Sequence, residues 1–124
     1  MFQILKDKTI CITRGDIANF DVFAKLKDGN PYVFHVGDIV RFQVFKKKDC
    51  TSVVIKKDFN VEAESESVSI YLATEDTRFG EVIHKPVEYW YEVVVNPDTA
   101  PQTIIGYDEE GEKIYRMYPE GVSE

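Results

Sequence analysis

The chain has 124 residues and a mass of 14.3 kDa, which is enough for one domain with its own hydrophobic core. Hydrophobic residues make up 44% of the chain and charged residues 30%, with eight Phe and seven Tyr, a composition that excludes an intrinsically disordered protein. The formal net charge of −7 repels phosphate backbones and argues against nucleic acid as a partner. We assign residues 1–120 to a single domain and 121–124 to a short polar tail.

The strand pattern dominates the sequence, because apolar residues recur with period two and β-branched and aromatic types are frequent. In chain order, strands are predicted at 9–13, 17–26, 32–36, 39–46, 52–61, 67–73, 87–96, 103–106 and 113–118. The turn formers at 27–31 predict a hairpin between the second and third strands, and those at 108–111 predict a closing hairpin. The strand at 87–96 is apolar on both faces, which is typical of a central strand.

One segment departs from the strand pattern. At 74–77 the sequence TEDT predicts a short helical turn, with Thr74 as N-cap and two acidic residues at the positive end of the helix dipole. With turn signals about every 8–12 residues, the whole pattern predicts an all-β protein, an antiparallel Ig-like β-sandwich of about eight or nine strands.

A motif occurs twice, as RGDIANFDVFAK at 14–25 and as VGDIVRFQVFKK at 36–47. Glycine permits turn dihedrals that other residues avoid, and aspartate accepts bonds from nearby backbone amides, so each copy predicts a tight turn followed by a strand. A repeat array needs at least three copies, and only two are found. The tripeptide at 14–16 also matches an adhesion signal, but that role requires a secreted protein with an exposed loop, and we reject it.

The repeated motif places apolar residues on two faces. Ala18, Phe20 and Val22 match Val40, Phe42 and Val44, and these are predicted to face the core. Ala24 and Leu26 continue the first of these faces and are also predicted to be core residues. The apolar residues on the opposite face are Ile17, Phe23, Ile39 and Phe45. Monomers rarely expose a contiguous apolar patch, so these four are our candidates for contact with another protein. The alternative is that a further strand layer or loop covers this face.

Candidate chemistry is sparse. His35 and His84 lack the spacing of metal ligands, and Cys11 and Cys50 have no CxxC spacing, so we expect no metal site and no other cofactor. The chain has no GxSxG elbow and no glycine-rich phosphate loop, and we therefore expect no catalytic residues and no enzyme activity. A stacking platform for a sugar is an alternative, with Trp90 and either Tyr71 or Tyr115 on an exposed face.

Targeting signals give no support for a membrane partner. The sequence has no apolar run long enough to cross a bilayer. Its first residues, MFQILKDK, lack the apolar core and the cleavage site of a signal peptide. We therefore expect a protein that is made in a cytosol.

Four segments carry a resemblance: GDIVRFQVFKK, YLATEDTRF, VEYWYEVVVNP and QTIIGYDEEGEKIYRMYPEG. Together they resemble the N-terminal β-sandwich module of baseplate upper proteins and related tail-associated proteins of Firmicutes phages. The shared features are a Gly-Asp turn, an alternating apolar strand, a threonine- or proline-led Asp-Thr turn, a Tyr-rich strand and a Thr-Ile hairpin near the end. The resemblance extends from Thr13 to Gly121 and rests on structural positions.

This resemblance implies a non-enzymatic structural or adaptor subunit of a phage or prophage tail. Such a subunit contacts other tail or baseplate proteins and is present in several copies. It is made in the bacterial cytoplasm and assembled into a virion or tail-like particle. A β-sandwich module that binds carbohydrate or a host surface is the alternative.

Overall fold

A computed structural model of the chain describes residues 1–26, 28–47 and 52–121. The predicted tail at 121–124, beyond its first residue, and Cys50 lie outside the described residues. The elements in chain order are β1 (Phe2–Ile4), β2 (Ile10–Thr13), β3 (Ala18–Val22), β4 (Ile39–Phe45), β5 (Val53–Asn60), β6 (Val68–Leu72), α1 (Thr74–Thr77), β7 (Val87–Val95), β8 (Gln102–Ile105) and β9 (Ile114–Tyr118). The all-β class with one helical turn is confirmed.

The strands form two layers. The large sheet has the order β1-β2-β9-β7-β4-β5, with β8 also paired to β7, and the small sheet consists of β3 and β6. The pair of β2 and β9 is parallel while the other strand pairs are antiparallel, so the sandwich is mixed rather than purely antiparallel. As expected, β7 is a central strand, because β4 lies on one of its edges and β8 and β9 share the other.

The predicted pairing of 17–26 with 32–36 is wrong. The strand ends at Val22 and pairs with β6 over five residues, because this register places Ile70 and Leu72 in the core beside Ala18 and Val22. The turn at 28–30 does form, but its arms meet only at the single Lys25–Pro31 bridge. Leu26, predicted to be a core residue, is therefore exposed.

The prediction that the last two strands pair with each other as a closing hairpin is also wrong. β9 pairs with β7 from Val87 to Trp90, and β8 pairs with the same strand from Val93 to Val95. β7 is nine residues long, so two short strands lie end to end along its edge instead of pairing with each other. The turn at 108–111 joins them.

The two copies of the motif enter different sheets and meet in the core. Phe20 of β3 and Phe42 of β4 pack edge to face with ring centroids 6.0 Å apart, a favourable geometry for aromatic pairs. Gly15 and Gly37 both have positive φ, at +89° and +96°. The interpretation of each Gly-Asp as a turn before a strand is confirmed.

The N-cap of α1 differs from the prediction. The residue that precedes the helix is Ala73, and its backbone N–H donates to the Asp76 carboxylate at 2.8 Å. Thr74 is therefore the first residue of the helix and not its N-cap, and Asp76 bonds back to the residue that precedes the helix. At the end of the turn the Thr77 hydroxyl donates to the Asp16 carbonyl at 2.8 Å, and this bond fixes α1 against the first Gly-Asp corner.

Arg14 is the buried cation of this corner, with 6% of its surface exposed. Its guanidinium donates to the backbone carbonyls of Arg78, Phe79 and Gly80 and to the Glu120 carboxylate at 2.6 Å. Three carbonyls of one loop thus share a single side chain, as the five-donor guanidinium permits. A cation held in this way is not available to an adhesion receptor.

We expect Arg14→Ala to lower the free energy of unfolding by about 3 kcal/mol, because the substitution removes a buried side chain and, with it, the donor shared by three backbone carbonyls and the Glu120 carboxylate. Urea unfolding followed by fluorescence measures this change. The matched control is Arg116→Ala, which removes a more exposed cross-strand pair with Glu88 and should cost less than about 1 kcal/mol. Equal losses for the two variants would contradict the assignment.

Candidate functional site

The four candidate contact residues do not form one patch. Ile17 and Phe23 flank opposite ends of β3, with Ile17 exposed at the corner that precedes the strand. Ile39 and Phe45 are the ends of β4, about 20 Å apart along an extended chain. Ile39 is half-buried, and its N–H donates to the Asn96 side chain at 2.9 Å.

Two candidates are buried, which corrects the expectation for each. Phe45 is only 3% exposed and pairs across the sheet with Trp90, so the alternative of a covered face is right for this residue. Tyr115 is completely buried and packs against Phe79 and Tyr89. Neither side chain is accessible to a partner or a sugar.

The other candidate stacking residues lie apart from each other. Trp90 is half-buried on β7 and lines a small groove of about 90 Å³ together with Tyr107, Glu92 and Glu112. Tyr71 is exposed on β6 in the other sheet, with the Lys57 ammonium 5.4 Å from its ring centroid. The structure therefore offers no joint platform of Trp90 and Tyr71.

Phe23 is the candidate that the structure places at a site. Its side chain is 65% exposed, and it lines three neighbouring grooves. Apolar residues that share these grooves form what we call the Phe23 surface: Ile4, Phe23, Ala24, Leu26, Pro31 and Ile104. The largest groove, of about 430 Å³, lies between β8 and residues 23–26.

A tight turn between β1 and β2 contributes Lys8 to the lining of this groove. Lys8 occupies the left-handed region with φ of +70°, and its N–H donates to the Leu5 carbonyl at 2.9 Å. The carbonyl of Lys8 accepts the Tyr91 hydroxyl at 2.5 Å. Burial raises the pKa of Tyr91 well above its usual value, so the phenol keeps its proton and anchors the turn to the core.

Tyr32 forms another part of the groove, and the second Gly-Asp corner holds it in place. Its hydroxyl donates to Asp38 Oδ2 at 3.3 Å, which also accepts the His35 N–H at 2.9 Å. The other oxygen of Asp38 accepts the Asn96 amide at 3.1 Å. The His35 N–H, together with Asn96 and Tyr32, lowers the pKa of Asp38.

Sequence reasoning identified Phe23 but missed most of its neighbours. Lys8 and Ile104 reach the groove through pairings of β1 with β2 and of β8 with β7, which no local pattern predicts. The alternation at 17–26 places Leu26 on the core face, but β3 ends at Val22 and Leu26 is exposed. A signal was present at 28–30, where Asp-Gly-Asn marks a turn that Leu26 closely precedes.

Other classes of site find no support among the residues described. No group of three or more His, Cys, Asp or Glu side chains in these ranges is arranged to hold a metal ion. The described part of the chain also contains no helix with the length and hydropathy needed to cross a membrane. No family model, curated protein or solved structure matches the chain.

We expect Asp38→Asn to lower the free energy of unfolding at neutral pH by about 1 kcal/mol, since one amide oxygen replaces two acceptor oxygens. The pKa of Asp38 is lowered from 3.8 in the folded state. The contribution of the carboxylate is therefore complete above that value and is lost as the pH falls through the lowered pKa.

Urea unfolding of both proteins between about pH 7 and pH 3 measures this dependence. The difference between them should stay constant down to about pH 5 and shrink below about pH 4. If the difference in free energy of unfolding is the same at about pH 3 as at about pH 7, the charge of the Asp38 carboxylate does not stabilise the fold.

Proposed function

We propose that the chain is a non-enzymatic structural or adaptor subunit that binds another protein through the Phe23 surface. The observation that carries this proposal is the exposure of Phe23. The fold buries Phe34 and Phe42 completely yet leaves this ring in water where three grooves meet. Exposed apolar patches of this kind are typical of protein-binding surfaces.

The energetics favour Phe23 as the anchor of such a contact. An aromatic side chain that passes from water into an interface contributes about 1.5–3 kcal/mol from its apolar surface. Its position is fixed, because Val22 next to it is buried in the sandwich and the Ala24 carbonyl accepts the Tyr32 N–H at 2.9 Å. Because the backbone on both sides of Phe23 is already ordered, binding has only the side chain left to order, which limits the loss of conformational entropy.

The setting that we propose is a phage or prophage tail, close to the baseplate. The support is the resemblance of GDIVRFQVFKK, YLATEDTRF and the two later segments to tail-associated modules. In this setting the partners are other tail or baseplate proteins, and several copies of the chain assemble. The chain is then made in the bacterial cytoplasm and ends in a virion or tail-like particle.

Binding of carbohydrate is the second candidate, and one observation favours it. Tyr107, which is 81% exposed, shares a groove with Trp90 and with the carboxylates of Glu92 and Glu112. Rings beside carboxylates are suited to sugars. However, this groove measures about 90 Å³, whereas small-molecule sites have volumes of about 300 Å³ or more, and we therefore place this candidate second.

Phe23→Ser should weaken association without loss of the fold. Light scattering of the purified chain over a concentration series, alone and with the products of the adjacent genes, measures association. We expect a defined oligomer or a complex for the natural chain, and at least a tenfold weaker affinity for the variant, equal to about 1.4 kcal/mol.

The matched control is Val82→Ser, which changes an equally exposed apolar residue that lines none of the grooves around Phe23. It should associate like the natural chain. A protein that remains monomeric with every neighbouring product, or a Phe23 variant that assembles normally, would refute the proposal.

A further inference from the structure

We infer that the groove between β8 and residues 23–26 binds an extended, acidic segment of the partner protein, whose carboxylates pair with Lys8 and Lys25. This inference rests on the proposed function, because it names the chemistry of the partner at the same surface. It commits to a peptide segment with two features, apolar side chains that pack beside Phe23 and acidic side chains that meet the two lysines.

The charge of the groove carries the inference. Its lining residues are Lys8, Phe23, Ala24, Lys25, Leu26, Tyr32, Val95, Gln102, Thr103 and Ile104. Two of them are cationic and none is acidic, although the chain as a whole has a net charge of −7. A positive groove on an acidic protein is a local feature that selects and orients an anionic partner.

Both lysines are available to that partner. Among the described residues, neither ammonium group lies within 4.0 Å of a carboxylate. Both residues are exposed, and their backbones are anchored, Lys8 through the Tyr91 hydroxyl and Lys25 through its bridge to Pro31. The structure thus places two exposed ammonium groups without a close carboxylate beside apolar walls, and Asp108, which pairs with Lys113, acts on Lys8 only from beyond ion-pair distance.

The shape of the groove favours an extended occupant. One wall is β8, which pairs only with β7 among the described strands, and the other is formed by residues 23–26, where Lys25 makes an antiparallel bridge to Pro31. The polar side chains of Gln102 and Thr103 lie along the first wall and can bond to a backbone. A peptide that lies between two extended chains presents alternate side chains to opposite sides.

Nucleic acid also carries negative charge, but it fits this groove less well. Most of the lining residues are apolar, whereas a phosphate backbone needs a continuous row of cations. The net negative charge of the chain repels a nucleic acid. It repels a short peptide segment much less, because such a segment carries fewer negative charges and also has apolar side chains. The observations therefore favour an acidic and apolar peptide.

Selection from a random peptide display library by the immobilised full chain tests the inference. We expect enriched peptides that combine acidic and apolar residues, and a synthetic copy of the consensus should bind with an affinity that falls as salt is added. The double variant Lys8→Glu with Lys25→Glu should bind this peptide at least tenfold more weakly. The matched control is Lys46→Glu with Lys85→Glu, two exposed lysines outside the groove, and it should bind like the natural chain.

The outcomes separate the inference of an acidic peptide from the proposed function on which it rests. Apolar peptides without acidic residues that bind the natural chain, but not Phe23→Ser, would overturn the inference and leave the proposed function intact. Peptides that bind Phe23→Ser as well as the natural chain would overturn both. Failure to enrich any peptide while the chain still associates with a neighbouring product would overturn the peptide inference alone. Far-UV circular dichroism of each variant verifies that it is folded.

Discussion

The contact of Phe20 with Phe42 is the interaction on which the rest of the structure depends. It joins the small sheet to the large one. Phe2 packs against Phe20, and Tyr91 packs against Phe42, so the four rings form one aromatic row. The small sheet has only two strands, and such a pair is not stable alone in water. Its packing on the large sheet is what makes the domain a sandwich.

This packing also explains where the candidate site lies. β3 has only five residues, and the chain leaves the small sheet directly after Val22. Phe23 is therefore the first residue beyond the buried layer, at the rim where β8 and the turn around Lys8 approach. The row that ends at Tyr91 fixes that turn through the Lys8 carbonyl. Core packing and the geometry of the surface are thus connected by a few named contacts.

The local elements could be predicted from the sequence, because they depend on short-range patterns. Alternation at 39–46 gave a strand with Val40, Phe42 and Val44 inside, and all three are fully buried. The helical turn at 74–77 was found from its polar residues. The two Gly-Asp corners were interpreted as turns because glycine alone reaches positive φ at low cost, and both glycines adopt it.

The pairings and the site could not be predicted to the same extent, because they depend on which distant segments meet. The partner of β3 is β6, about 50 residues further along the chain, while the nearer turn at 28–30 suggested a hairpin. The parallel pair of β2 and β9 joins the two ends of the domain, and periodicity carries no sign of it. Phe45 occupies the same position in the motif as Phe23. Its strand, β4, lies between β7 and β5 in the large sheet, and its side chain is buried.

Hydrogen–deuterium exchange on the chain, with and without the product of an adjacent gene that binds it, would locate the interface. We expect binding to protect the backbone amides of residues 23–26 and 102–105, because they form the two walls of the groove at Phe23. Protection over β4 and β9 instead, with no change at residues 23–26 and 102–105, would place the interface away from the groove and would show that Phe23 is not its anchor.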